Sequence, residues 1–141
     1  TVVATIIEDG KAVIGNVCDS RAYTVGDELT QITVDQSFVQ ELIDQGEITP
    51  EEAKTHPQRN VLSQALGTEE TVDPDLYTQQ VEEHLLMRSD GLTEEVSEKS
   101  ILSTVTESEG IDTAADRLIQ SANDNGGSDN ISVILTSHTG D

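Results

Sequence analysis

Basic residues are scarce in this chain: 7 Lys and Arg face 28 Asp and Glu across 141 residues, a formal charge of -21. Lysine is confined to Lys11, Lys54 and Lys99. With no basic patch to release counterions from phosphates, direct nucleic-acid binding is excluded. Cysteine is nearly absent too: Cys18 has no second thiol to pair with. An internal disulfide is therefore ruled out, and a reducing, cytoplasmic compartment is expected. No apolar run approaches the ~20 residues needed to cross a bilayer, so no membrane partner is expected. No signal peptide is expected either. Thr1 opens a strand-like run without an initiator Met, so the chain is expected to be a fragment.

The acidity is spread rather than gathered into a tail. Acidic residues recur from Glu8 to Asp141 among Val, Ile and Leu, the pattern of a folded domain with an acidic surface rather than of acidic disorder. The length suits one domain with a real core. Self-repulsion at this charge opposes compaction in dilute buffer. Molar salt screens it, because the Debye length falls to about 3 Å at 1 M. A salt-adapted host is the expectation.

Along the chain, Val2 to Ile7 and Ala12 to Cys18 flank Asp9-Gly10, a strong hairpin signal. Arg21 to Val25 and Leu29 to Thr33 continue what reads as an antiparallel meander. Its nearly continuous apolar strands predict cover on both sheet faces. From Ser37 to Gly46 the period becomes helical, with Phe38, Val39, Leu42 and Ile43 on one side. Thr49-Pro50-Glu51-Glu52 predicts a second short helix opened by a capping box and ended at His56-Pro57. Val72 to Val81 reads as an irregular strand pair broken at Pro74, and Leu85 to Arg88 as a short buried strand. Thr93 or Ser97 caps helical material through Val105. Ala115, Leu118, Ile119 and Ala122 mark a helix opened by Asp112 and closed at Asn125-Gly126-Gly127. Ile131 to Thr136 is the last strand. This order predicts an α+β layered domain, 1–141, of antiparallel sheet flanked by helices.

Three aspartates stand beside small or turn-forming residues at the ends of apolar runs. They are Asp19 in Gly15-Asn16-Val17-Cys18-Asp19-Ser20-Arg21-Ala22, Asp90 in Ser89-Asp90-Gly91-Leu92-Thr93, and Asp129 in Gly127-Ser128-Asp129-Asn130-Ile131-Ser132-Val133. Each alone has an ordinary explanation. Asp19 suits a hairpin turn, Asp90 a helix cap and Asp129 a loop before a strand. Brought together, they are hard oxygen ligands of the kind Mg²⁺ and Mn²⁺ prefer.

Five blocks in this order resemble the metal-dependent protein phosphatases, the PPM or phosphatase 2C family. Gly15 to Tyr23 resembles the family's Gly-Asn-x-Gly-Asp-Ser-Arg-Ala-Tyr segment. Asp35 to Val39, then Glu41 to Asn60 with its His56-Pro57-Gln58-Arg59-Asn60, resemble the flap of bacterial members, and Ala65-Leu66-Gly67 follows. Ser89 to Thr93 and Gly127 to Val133 resemble the family's two later metal motifs.

The resemblance implies the later portion of a four-layer αββα sandwich with a helical flap at about 35–67. It implies hydrolysis of phosphoserine and phosphothreonine in proteins by a hydroxide bridging two metal ions. In that reading Asp90 and Asp129 are core ligands for Mg²⁺ or Mn²⁺. Asp19, with Asp90 and Glu94, serves a third, weaker ion. His56 handles protons or gates entry; its alternative is a surface His ending a helix. The implied partner is a phosphorylated protein, the product of a serine/threonine kinase, met by a monomer. The family's earlier segment, with a phosphate-binding Arg and a bridging Asp-Gly, is absent here. The alternative is therefore a catalytically inactive phosphatase-like binding or regulatory module. Two departures stand out. Cys18 replaces a glycine, which crowds the backbone if that position has positive φ. Arg88 replaces a small or apolar residue and is expected to snorkel outward or pair with an acid. Cys18 itself is expected to be a small buried residue, and His84 and His138 structural or exposed.

Overall fold

The computed structural model describes residues 1–138. Strands β1 (Val2–Glu8) and β2 (Lys11–Val17) form the expected hairpin, in register from Val2↔Val17 to Glu8↔Lys11. Asp9 and Gly10 both have positive φ, 48° and 74°, the conformation that matches strand twist in a two-residue turn. The meander does not continue beyond it. At Cys18–Ser20 the chain leaves the first sheet and enters a second, so β2 and β3 (Arg21–Val25) do not pair. The first sheet has the order β1-β2-β5, with β5 at Asp75–Gln80. The second has the order β4-β3-β6-β7, with β4 (Leu29–Gln31), β6 (His84–Arg88) and β7 (Val133–Ser137). All pairings are antiparallel. The segment expected to be a broken strand pair is one regular strand. It starts just after Pro74, whose missing N–H keeps it out of the ladder.

Strand alternation sorts the apolar residues into two cores. Ala12, Ile14, Ala22, Val81, Leu85 and Met87 fill the space between the sheets. Tyr23, Val25 and Leu86 point the other way, onto Leu92, Val96, Ile101, Val105, Leu118 and Ala122. Helices α4 (Glu98–Glu107) and α5 (Ile111–Asp124) carry most of that second set. Ser97 caps α4, accepting from the Ser100 N–H. Helix α5 buries Ala114, Leu118 and Ala122, so its buried stripe is set by Ala114 rather than Ala115.

Sheet, sheet and helices make three of the four expected layers. Among the described residues nothing covers the outer face of β1-β2-β5, against the expectation of cover. Ile6 is 75% exposed and Leu76 72%, with Val13 between them.

A helical excursion leaves the second sheet after β4. Helix α1 (Phe38–Asp44) is capped by Ser37, and α2 (Pro50–Lys54) carries the complete Thr49/Glu52 capping box. A bridge between Ser37 and Leu62 closes its base. One further short helix, α3 (Asp90–Thr93), follows β6 directly. Among the described residues, no helix is long and apolar enough to cross a membrane.

Candidate metal centre at one end of the second sheet

Register decides where the three aspartates go. Arg21 of β3 pairs with Arg88 of β6, and Arg88 pairs with Val133 of β7. Asp19 lies two residues before Arg21, Asp90 two beyond Arg88, and Asp129 four before Val133. In antiparallel strands all three offsets run off the same end of the sheet. Asp19 and Asp90 are half-buried there, while Asp129 and Glu94 are exposed.

The carboxylates feel one another. Burial pushes the Asp90 carboxyl above its usual range, and the charges of Asp19 and Asp129 push it further; the Gly91 N–H and Arg88 pull it back. Glu94 is also raised, by burial and then by Asp90, Asp129 and Glu95, with Arg59 opposing. Like charges held together without an equal countercharge favour a bound cation. Among the described residues, no three His, Cys, Asp or Glu side chains are grouped closely enough to hold a metal ion. Carboxylate oxygens are nonetheless the donor type that a hard divalent cation takes. Asp90 is the carboxylate that the charges of both Asp19 and Asp129 push up.

Local structure explains how the segments that carry Asp90 and Asp129 are held. Beyond β6 the ladder runs on: the Ser89 N–H donates to the Ser132 carbonyl at 3.0 Å, and the Ser132 N–H donates to Ser89 Oγ at 2.9 Å. Gly91 lies so close to the Asn130 carbonyl that a Cβ on it has no room. Glu95 grips the loop before Asp129, accepting from the Ser128 N–H at 3.2 Å and the Ser128 hydroxyl at 2.5 Å. Asp129 Oδ1 accepts from the Asn130 N–H at 2.7 Å, a contact with its immediate neighbour in the loop before β7. Asp90 is not a cap; Ser89 holds that position and Asp90 is the first residue of α3.

The two departures resolve differently. Cys18 has φ 88° and is buried, its thiol pushed up chiefly by desolvation. Arg88 does not snorkel and, among the described residues, pairs with no acid. It is 3% exposed, donates from Nη2 to the Tyr23 hydroxyl at 3.0 Å, and lies 5.6 Å over that ring, with Nε unpartnered. Strand alternation turns it toward the helical core, away from water. Arg21, across the strand, is clasped by Asp35 through Nε–Oδ1 at 2.7 Å and Nη2–Oδ2 at 2.8 Å.

His56 stands at the end of α2, edge-on to Phe38 with ring centroids 6.1 Å apart, and its Nδ1 accepts from the Gln58 N–H at 3.1 Å. Those interactions are local to the excursion. His84 and His138 are half-buried away from the carboxylates, near Gly26 and Gly10. Arg59 and Glu95 are the neighbours of the site that the sequence did not single out. Arg59 could have been flagged as a cation in a chain that has few. Glu95 carried no signal, since its role depends on a loop 33 residues away.

A cavity of about 290 Å³ lies beside the cluster, lined by Thr1, Ser20, Met87, Ser89 and Ser132 among others. A larger hollow of about 460 Å³ opens at the opposite end of β3 among Asp27, Glu28, Glu82 and Glu83. None of Asp19, Asp90, Glu94 and Asp129 lines either hollow.

Comparison with known proteins places this arrangement in context. The chain is 40% identical over 134 residues to the protein phosphatase PhpP of Streptococcus pneumoniae, covering 93% of this chain and 54% of that protein. It is 41% identical over 138 residues to the serine/threonine phosphatase stp of Listeria monocytogenes, covering 96% and 55%. Among solved structures, the serine/threonine phosphatase Stp1 of Staphylococcus aureus matches with a TM-score of 0.92 at 41% identity, over 98% of this chain and 56% of that one. The catalytic domain of the phosphatase PstP in complex with 2 manganese ions matches with a TM-score of 0.80 at 37% identity, over 94% and 56%. The chain spans about half the length of the curated relatives it matches. No family model matches it.

Proposed function

By sequence and fold this chain is a relative of the bacterial serine/threonine phosphatases of the PPM, or phosphatase 2C, type, and we propose that it supplies one wall of such an enzyme's metal centre. The proposed reaction is hydrolysis of phosphoserine and phosphothreonine in proteins. The observation that carries it is the convergence of Asp19, Asp90 and Asp129 at one sheet end, with Asp90 repelled by both neighbours.

Asp90 and Asp129 are proposed to hold Mg²⁺ or Mn²⁺ as two core ions, with Asp19 and Glu94 beside Asp90 for a third. When bound, a divalent cation supplies Lewis acidity, acidifies water and neutralises phosphoryl charge. The chain's own part is to hold hard oxygens at a stiff strand end. Glu95 restrains the loop that carries Asp129, and Gly91 lets that loop approach Asp90. His56 is proposed to handle protons or gate entry from a flap at about 35–67. Support comes from Arg59, three residues on, whose charge is felt at Glu94. The proposed partner is a phosphoprotein made by a serine/threonine kinase, met by a monomer whose uniform negative charge disfavours self-association. A reducing, cytoplasmic setting agrees with the lone buried thiol, and a salt-adapted host with the charge of -21.

A second reading, a phosphatase-like binding module without turnover, is favoured by the lack of a closed three-ligand group among the described residues. Calorimetric Mn²⁺ titration with a phosphoserine peptide assay separates the two. Binding lost in Asp90→Asn, with Mn²⁺-dependent phosphate release also lost, supports the enzyme. Peptide binding without phosphate release supports the module. A wild-type chain that takes up no Mn²⁺ sinks the metal centre.

A further inference from the structure

The turn that presents Asp19 is strained at one residue and clasped at that same residue. Cys18 has φ 88°, a conformation that L side chains rarely adopt outside glycine. Relaxing to negative φ there turns the next residue, Asp19, to a new direction. Gln36, just ahead of α1, holds Cys18 on both sides. The Cys18 N–H donates to Gln36 Oε1 at 2.8 Å, and the Gln36 N–H donates to the Cys18 carbonyl at 3.0 Å.

Gln36 is itself immobilised. Its carbonyl accepts from the Ser63 N–H at 2.9 Å, and its Nε2 donates to Asp75 Oδ2 at 3.0 Å and to the Asp73 carbonyl at 3.4 Å. Every polar group of the residue is used, across three separate stretches of chain. Asp35, its neighbour, clasps Arg21 on the far side of the turn. Consecutive residues at the base of the excursion thus pin both ends of Cys18–Ser20.

We propose that Gln36 is a positioning residue for Asp19: its clasp holds Cys18 at positive φ and so keeps the Asp19 carboxylate turned toward Asp90. The proposal rests on the metal-centre reading above and deepens it. Glycine at position 18 adopts positive φ without strain, so a glycine there makes the clasp dispensable. This gives a rescue that a purely structural Gln36 does not predict.

The test uses the 141-residue chain as wild type, Gln36→Leu, Cys18→Gly and the double variant, with MnCl₂ as the probe in calorimetry. Gln36→Leu is expected to weaken Mn²⁺ affinity about tenfold, the scale seen when a group orienting a metal ligand is lost. The double variant is expected to recover most of that loss. Hydrogen exchange across Cys18–Ser20, measured without metal, is expected to accelerate about tenfold in Gln36→Leu as the turn opens locally. Unchanged exchange, unchanged affinity, or no recovery by glycine each overturns the role of Gln36 while leaving the metal centre standing. A wild-type chain that binds no Mn²⁺ refutes the metal centre and, with it, any ligand for Gln36 to position.

Discussion

Arg88 shows at the scale of one residue how a local surprise is tolerated. Two arginines face each other on β3 and β6, and like charges directly opposed destabilise a sheet. Asp35 neutralises Arg21 with two hydrogen bonds. Arg88 has no carboxylate in contact among the described residues. Its guanidinium instead rests on the face and hydroxyl of Tyr23. A buried cation so placed is weak support for the fold, and a shape-matched apolar residue is neutral or better. Arg88→Met is therefore expected to raise stability by about 1 kcal/mol, less the mild pull that Arg88 exerts on the raised Asp90 carboxyl. Arg21→Met strands a half-buried carboxylate and is expected to cost about 2 kcal/mol, discounted from a fully buried pair because Arg21 is partly solvated. Urea unfolding of both variants checks the pair of signs; two losses of similar size contradict the account of Arg88.

At the scale of elements, close approach of β6's exit to β7's entry holds the site together. Gly91 is the contact point, because a side chain there meets the Asn130 backbone carbonyl rather than a movable side chain. Gly91→Ala is expected to cost about 1–3 kcal/mol, the range for overpacking. It should also free the Asp129 loop, seen as faster hydrogen exchange at Asn130 and Ser132 than in α5. Equal protection in the variant contradicts this account of the contact. The helices of the excursion are another matter. Ser37, Thr49 and Glu52 satisfy first-turn N–H groups locally, so where these helices start is set within the excursion itself.

For the whole molecule, charge dominates. Among the described residues two ion pairs are present, Arg21–Asp35 and the exposed Lys54–Glu51. Surface pairs of the second kind contribute little. A charge of -21 is thus balanced mainly by solvent ions. The thermal midpoint is expected to rise steadily from about 0.1 M to about 1 M KCl as screening tightens. A flat profile contradicts this view of the surface. The outer face of β1-β2-β5, with Ile6, Val13 and Leu76 exposed, adds apolar area that salt also drives out of water.

What the amino-acid order determined by itself was short-ranged. The Asp9-Gly10 hairpin, the Thr49 capping box, the α+β class and the identity of the acidic motifs follow from neighbours a few residues apart. Turn and cap chemistry acts over that distance. The resemblance to the phosphatases was legible for the same reason, since each block is a contiguous string. Tertiary structure decided the rest. The division of the meander between two sheets, the convergence of Asp19, Asp90 and Asp129, the buried seat of Arg88 and the clasp of Gln36 on Cys18 all depend on strand register. Register is set by which faces bury together. It joins residues dozens of positions apart, and no local pattern encodes that choice.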